Sequence, residues 1–171
     1  MPSGHDGCPR GDREASWELV LASSPALAAL WYHRWRWPVE VSGGHLLLTT
    51  GPEVCGVEAP EPLARRVYRF LAARLVAGPV IGLPGVRRRS VLLARSAEGA
   101  SPTTIGRLDR RGVVVHRSGA VLPMPPSRLA SGLVAWRVAP ALPPTPHSGR
   151  PWLPPFAAIV AALRRSPSRE E

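Results

Sequence analysis

The sequence predicts an α+β domain: a mixed sheet with a central strand–helix–strand unit and flanking helices. Three observations predict it. Residues 54–83 read as strand, helix and strand in turn. Apolar runs bracket glycine turns on both sides of that unit, as hairpins do. An amphipathic segment follows a proline-rich run near the end of the chain.

The central unit opens with Val54-Cys55-Gly56-Val57-Glu58-Ala59, a short, mostly apolar run closed by Pro60. From residue 61 to 76 the apolar residues Leu63, Val67, Phe70, Leu71 and Leu75 recur at helical spacing. Gly78-Pro79 stops the helix, and Val80-Ile81-Gly82-Leu83 forms a second apolar run. A helical connection of this length is what two parallel strands need, with a right-handed crossover.

Ahead of this unit, residues 1–15 carry glycine, proline and charge without periodicity and read as a disordered tail. Ser16 can cap a short helix bearing Trp17, Val20 and Leu21. Ser24-Pro25 restarts a helix, with serine at the N-cap and proline in the first turn. Leu27, Leu30, Trp31 and Trp35 then share a face, and the helix ends before Pro38. Ser42-Gly43-Gly44 between two apolar runs predicts a hairpin.

After the unit, Pro84-Gly85 turns into a strand over residues 90–94, a second hairpin. Ser101-Pro102 opens a helical turn through Leu108. Ser118-Gly119, between residues 112–116 and 120–122, predicts a third hairpin. Residues 133–138 are the last strand, and residues 140–155 run extended over the surface. Phe156, Ile159, Val160 and Leu163 then mark a terminal helix, with Arg164 and Arg165 suited to its negative end. The expected organisation is one domain over 16–165, with tails at 1–15 and 166–171.

The chain has 171 residues, 44% of them hydrophobic, and a net charge of +10. All 22 basic residues are arginine; lysine, asparagine and glutamine are absent, and isoleucine occurs only at Ile81, Ile105 and Ile159. Residues with AT-rich codons have been stripped out, as in a protein from a high-GC bacterium. That bias accounts for much of the arginine. The scarcity of acids is harder to dismiss, since aspartate occurs only at Asp6, Asp12 and Asp109. Attraction to phosphate is therefore expected. Cys8 and Cys55 lie far apart and make no metal-ligand or redox spacing. No run has the length of a membrane span, and Glu18, Ser23, Ser24 and Pro25 interrupt residues 17–31, the nearest candidate for a signal core, so a cytoplasmic protein without membrane contact is expected.

Several residues are candidates for chemistry. Glu58 ends the first strand of the unit, where ligands of open sheets bind and where a carboxylate can hold a metal; the plainer reading is an exposed strand-end acid. Two-metal phosphoryl chemistry needs convergent carboxylates, and the position two residues before Glu58 is Gly56. His45 and His116 stand in strands, as phosphate contacts or acids, or as half-buried strand histidines. Arg87-Arg88-Arg89 forms a hairpin tip; Arg107, Arg110 and Arg111 form a second cluster, and Arg65, Arg66 and Arg69 a third on the polar side of the central helix. Each is a phosphate-binding surface or a solvated face. Trp31, Trp35 and Trp37 read as core packing or as a base-stacking platform. GxSxG, Walker and GxGxxG motifs are absent.

Trp37-Pro38-Val39 after an Ala/Leu-rich helix resembles the bacterial bifunctional DNA primase/polymerase (Prim-Pol) family, of archaeo-eukaryotic primase type. The resemblance is closest to short, stand-alone members. It continues in order through Thr50-Gly51 before a strand ending Ala59-Pro60, Arg65-Arg66 leading to Gly78-Pro79-Val80, Val138-Ala139-Pro140, and Pro151-Trp152-Leu153-Pro154 before the terminal helix. It covers roughly residues 24–165. It implies an α+β core for DNA replication that joins nucleotides through metal-bound carboxylates. The family's strand carries Asp-x-Asp or Asp-x-Glu, whereas here only Glu58 stands in the equivalent run. His116 matches a later histidine of the wider pattern without its small neighbour, and Asp109 lies out of order for the late acid. The implied function is a primase/polymerase-like domain degenerate at its metal site and retaining weak nucleotide or nucleic-acid binding. Glu58 and His116 would be the catalytic pair and Arg87, Arg88, Arg89, Arg107, Arg110 and Arg111 the nucleic-acid contacts, with magnesium or manganese bound only if the site is active. The alternative is a non-enzymatic module that docks a protein partner.

Overall fold

A computed structural model of the protein describes residues 24–141 and 149–166. In chain order the elements are α1 (Pro25–Arg34), β1 (Val39–Ser42), β2 (His45–Thr49), β3 (Cys55–Pro60), α2 (Glu61–Ala72), β4 (Val80–Leu83) and β5 (Arg89–Ala94). They continue as α3 (Pro102–Asp109), β6 (Val114–His116), β7 (Val121–Met124), β8 (Arg128–Leu129), β9 (Gly132–Leu133), β10 (Ala135–Val138) and α4 (Phe156–Arg165). This is an α+β architecture. The expected helix over 16–21, the tail at 1–15, residues 167–171 and His147 lie outside the described residues; Ser166, expected to open the second tail, is buried at the end of α4.

The main sheet has five strands in the order β10-β4-β5-β3-β6, and every neighbouring pair is antiparallel. The expected mixed sheet is therefore corrected. β3 and β4 do run in the same direction, because both are antiparallel to β5, but β5 lies between them. The turn after β4 reverses the chain at once, and β5 takes the slot between β4 and β3, pairing with β3 from Cys55↔Ala94 to Pro60↔Arg89. The run β3-α2-β4-β5-α3-β6 is thus a split strand–helix–strand unit with ferredoxin-like connectivity. β10 extends it beyond β4.

A second sheet, β1-β2-β7, packs with α1 on the side of the main sheet opposite α2, α3 and α4. One core lies between the main sheet and α2, α3 and α4: Cys55, Val57, Ala59 and Leu92 meet Leu63, Val67, Leu108 and Ile159. The other lies between the sheets and α1: Ile81, Val91 and Leu93 meet Leu46, Leu48, Leu122 and Tyr32. β5 sits between both cores, so Val91, Leu92, Leu93 and Ala94 are all buried. A strand covered on both faces reads as an unbroken apolar run.

The first hairpin forms as expected. Gly43 and Gly44 connect β1 to β2 with φ of 56° and 78°, the left-handed pair that a two-residue hairpin turn requires. β4 and β5 form the second. The third does not form: β6 joins β3 in the main sheet, while β7 joins β2 in the other. Thr50 explains the parting. Its hydroxyl bonds the Arg117 and Ala120 carbonyls, its carbonyl accepts from Gly119 N (2.9 Å), and its N–H donates to the Ala120 carbonyl (2.8 Å). The turn is thereby anchored to the end of β2, and its two arms feed different sheets.

Three further expectations change. On α1, Leu27 and Leu30 are exposed, and Ala28, Ala29 and Tyr32 face the core with Trp35 and Trp37. Tyr32 stacks on Trp37 and donates its hydroxyl to the Pro125 carbonyl (2.9 Å) while accepting from Trp136 Nε1 (3.1 Å). Helix α2 stops at Ala72, leaving Leu75 in solvent. The proline-rich run is not wholly superficial: Pro151, Leu153 and Pro154 are buried, and the Pro154 carbonyl accepts from Arg95 N (2.8 Å). The short β8–β9 hairpin carries no sequence signal that we recognised.

Candidate functional site

Side chains alternate along a strand. On β3, Cys55, Val57 and Ala59 enter the helix-side core, so Gly56 and Glu58 point to the other face. Glu58 lies opposite Val91 of β5 and Val114 of β6. Arg89 precedes Val91 by two residues and His116 follows Val114 by two, so both return to the face of Glu58 as its diagonal neighbours. The ladder brings the three together. Arg89 Nε donates to Glu58 Oε1, His116 Nε2 lies 2.8 Å from Glu58 Oε2, and Arg89 Nη2 donates to the Gly112 carbonyl (2.8 Å).

Glu58 is 15% exposed. The hydrogen bond from His116 does most to hold its carboxyl below the usual range; burial opposes this, and Arg89 adds to it by hydrogen bonding and charge. Both carboxylate oxygens are thus engaged by nitrogen donors. The nearest strand position for a second carboxylate on that face is Gly56, where an added Cβ would already lie 2.7 Å from Leu122 Cδ1. Among the described residues, no three His, Cys, Asp or Glu side chains gather as metal ligands. The donor set around Glu58 is a guanidinium, an imidazole and one carboxylate, and it does not fit a divalent cation pair.

The two expected catalytic residues therefore meet, and the partner that joins them, Arg89, was expected among the nucleic-acid contacts. Period-two alternation would have revealed it once the β3–β5 register was known. Arg87 and Arg88 remain exposed in the hairpin loop, and Arg107 and Arg110 on and just after α3. Arg111 does not join them: its guanidinium donates to the carbonyls of Leu163 (2.5 Å) and Ser166, closing the negative end of α4. Arg65, Arg66 and Arg69 are exposed on α2. Trp35 and Trp37 are buried and cannot form a stacking platform. His45 is half-buried in β2, and His33 is exposed.

Among the described residues, no helix is long and apolar enough to cross a membrane. No protein-family model matches the chain, and neither does any curated protein or solved structure.

Proposed function

We propose that the chain is a primase/polymerase-like domain, degenerate at its metal site, that binds single-stranded nucleic acid or nucleotide weakly and does not join nucleotides. The observation that carries this reading is the state of Glu58. The resemblance puts this residue where a metal-binding carboxylate belongs, and its oxygens face Arg89 and His116 instead. A guanidinium occupies the space that a cation would need. Binding is left to exposed arginines, namely Arg87 and Arg88 of the loop and Arg107 and Arg110 near α3. Such contacts attract phosphate without reading sequence. A second reading, a non-enzymatic interaction module, is favoured by a basic groove beside the β4–β5 hairpin.

The test combines two assays on the full chain. Labelled nucleotides with manganese and a DNA template are expected to give no product. A labelled single-stranded oligonucleotide is expected to bind with salt-dependent affinity that survives moderate salt. Replacing Arg87 and Arg88 by serine should weaken it evenly across sequences and lower the salt slope by about 0.7 per lost phosphate contact. Product formation, or loss of all binding at moderate salt, would overturn the reading.

A further inference from the structure

The main sheet is not fully covered on its helix side. At its β10 edge, Ala135 lies opposite Gly82 of β4; Ala135 is exposed, while Gly82 is buried beneath the Arg137 side chain. Both line an open groove of about 600 Å³ between the loop after β4 and the β8–β9 turn. Gly82 shapes it sterically: a Cβ there would lie 2.5 Å from Arg137 Nε, so only glycine lets this guanidinium cross the strand. Arg137 is also the extra residue of a bulge between Trp136 and Val138, and such a bulge re-aims a side chain.

Arg88, Arg137 and Ser131 give the groove its polar lining, and no carboxylate lines it. The Glu61 carboxylate approaches Arg137 only to 3.6 Å, too far for a hydrogen bond. Beside the arginines, Val86 is fully exposed and Leu133 about half exposed. Aliphatic rims and two guanidiniums along an open groove suit a ligand that offers carboxylates and aliphatic side chains from an extended chain.

We infer that this groove docks an extended acidic peptide, whose carboxylates pair with Arg88 and Arg137 and whose aliphatic side chain lies between Val86 and Leu133. The inference does not rest on the nucleic-acid reading: Arg88 is shared with it, but Arg137 and Gly82, which the test varies, play no part in it. Glu61 is then a competitor for Arg137 that a bound peptide displaces.

The experiment titrates the ¹⁵N-labelled full chain with a capped Glu-Leu-Glu-Val-Glu peptide, with its Gln-for-Glu counterpart, and with inorganic phosphate. The acidic peptide is expected to bind saturably and to shift the amides of Gly82, Gly85 and Gly132. Arg137→Ala should weaken it by about tenfold, the loss of one charge-assisted hydrogen bond. Glu61→Gln should tighten it. Gly82→Ala, which keeps both arginines but displaces one, should weaken it with little change in melting temperature. Equal binding of the Gln peptide, full competition by phosphate, shifts confined to other regions, or an unchanged affinity in Arg137→Ala would overturn the inference.

Discussion

Glu58 joins three strands of one sheet through its two oxygens, to Arg89 on β5 and His116 on β6. A glutamine there keeps one acceptor oxygen but turns the other into an NH2 that faces a partly buried donor, at a cost of about 1–3 kcal/mol. The pH dependence follows from the direction of the Glu58 shift. The folded carboxyl binds its proton less readily than the ordinary value of 4.5, chiefly because of His116 and then Arg89. Its stabilisation is thus complete above that value and is lost as pH falls through the lower folded one. Glu58→Gln is expected to melt below the native protein at pH 7, with the gap closing as pH falls below about 5 and through the lower folded value. A gap that stayed constant over that range would show that the ion pair is not what the substitution removes. Glu58 and His116 could be picked out in the sequence because acids and strand histidines are scarce. Arg89 could not be singled out, because its neighbours Arg87 and Arg88 are chemically identical and only the ladder register separates their roles. Cys55 is the opposite case: burial pushes its thiol up to about 12, so it acts as a small apolar side chain.

At the scale of elements, three helices end in the same motif. The N–H of Trp37, Val76 and Val113 reaches back five residues to Tyr32, Leu71 and Leu108, and the preceding residue bonds three back. This pair of bonds needs left-handed backbone at that preceding residue, and an apolar contact usually seals it. Gly112 supplies that conformation after α3 with φ of 67°, but Arg36 and Leu75 adopt it after α1 and α2 with φ of 57° and 58°. A non-glycine residue there costs about 1 kcal/mol. Leu75 is 92% exposed, so its side chain returns little in burial. Leu75→Gly is therefore expected to stabilise the protein by about 0.5 kcal/mol net of the glycine's greater unfolded-state freedom, raising the melting temperature by about 1–2 °C. Gly112→Ala should lower it, and the pair of melts checks the motif from both sides. The contrast also explains which helix limits were legible. Ser24 and Ser101 cap their helices as expected, accepting from Leu27 N and Thr104 N (both 3.2 Å), because a serine before a proline is a local signal. The end of α2 was misplaced because Leu75 continues the apolar spacing and nothing in its chemistry announces a left-handed residue.

For the whole molecule, local signals identified most elements but not their order in space. The sequence around residues 54–83 does contain two strands running the same way about a helix, yet the slot between them belongs to β5. That choice depends on the energetics of the later hairpin, which no window over the unit contains. The same holds for β6 and β7, whose shared turn looks like a hairpin until Thr50 ties it to the other sheet. Gly56 is where the two sheets come closest to forbidding a side chain. It faces the second core, and a Cβ there would lie 2.7 Å from Leu122 Cδ1 and 2.8 Å from Val91 Cγ1, both of them buried side chains. Neither can swing into solvent, and Val91 is β-branched and stiff. The small residue thus sets the spacing between the sheets on the face that also carries Glu58. Gly56→Ala should force the sheets apart or push Leu122 off its rotamer, at a cost of about 1–3 kcal/mol that outweighs the entropy gained by replacing a glycine. The double variant Gly56→Ala with Leu122→Val, which clears space on the far side, is expected to recover part of that loss. Denaturant melts of the two single variants and the double form the cycle, and strict additivity between the sites would show that Gly56 does not govern how the sheets pack.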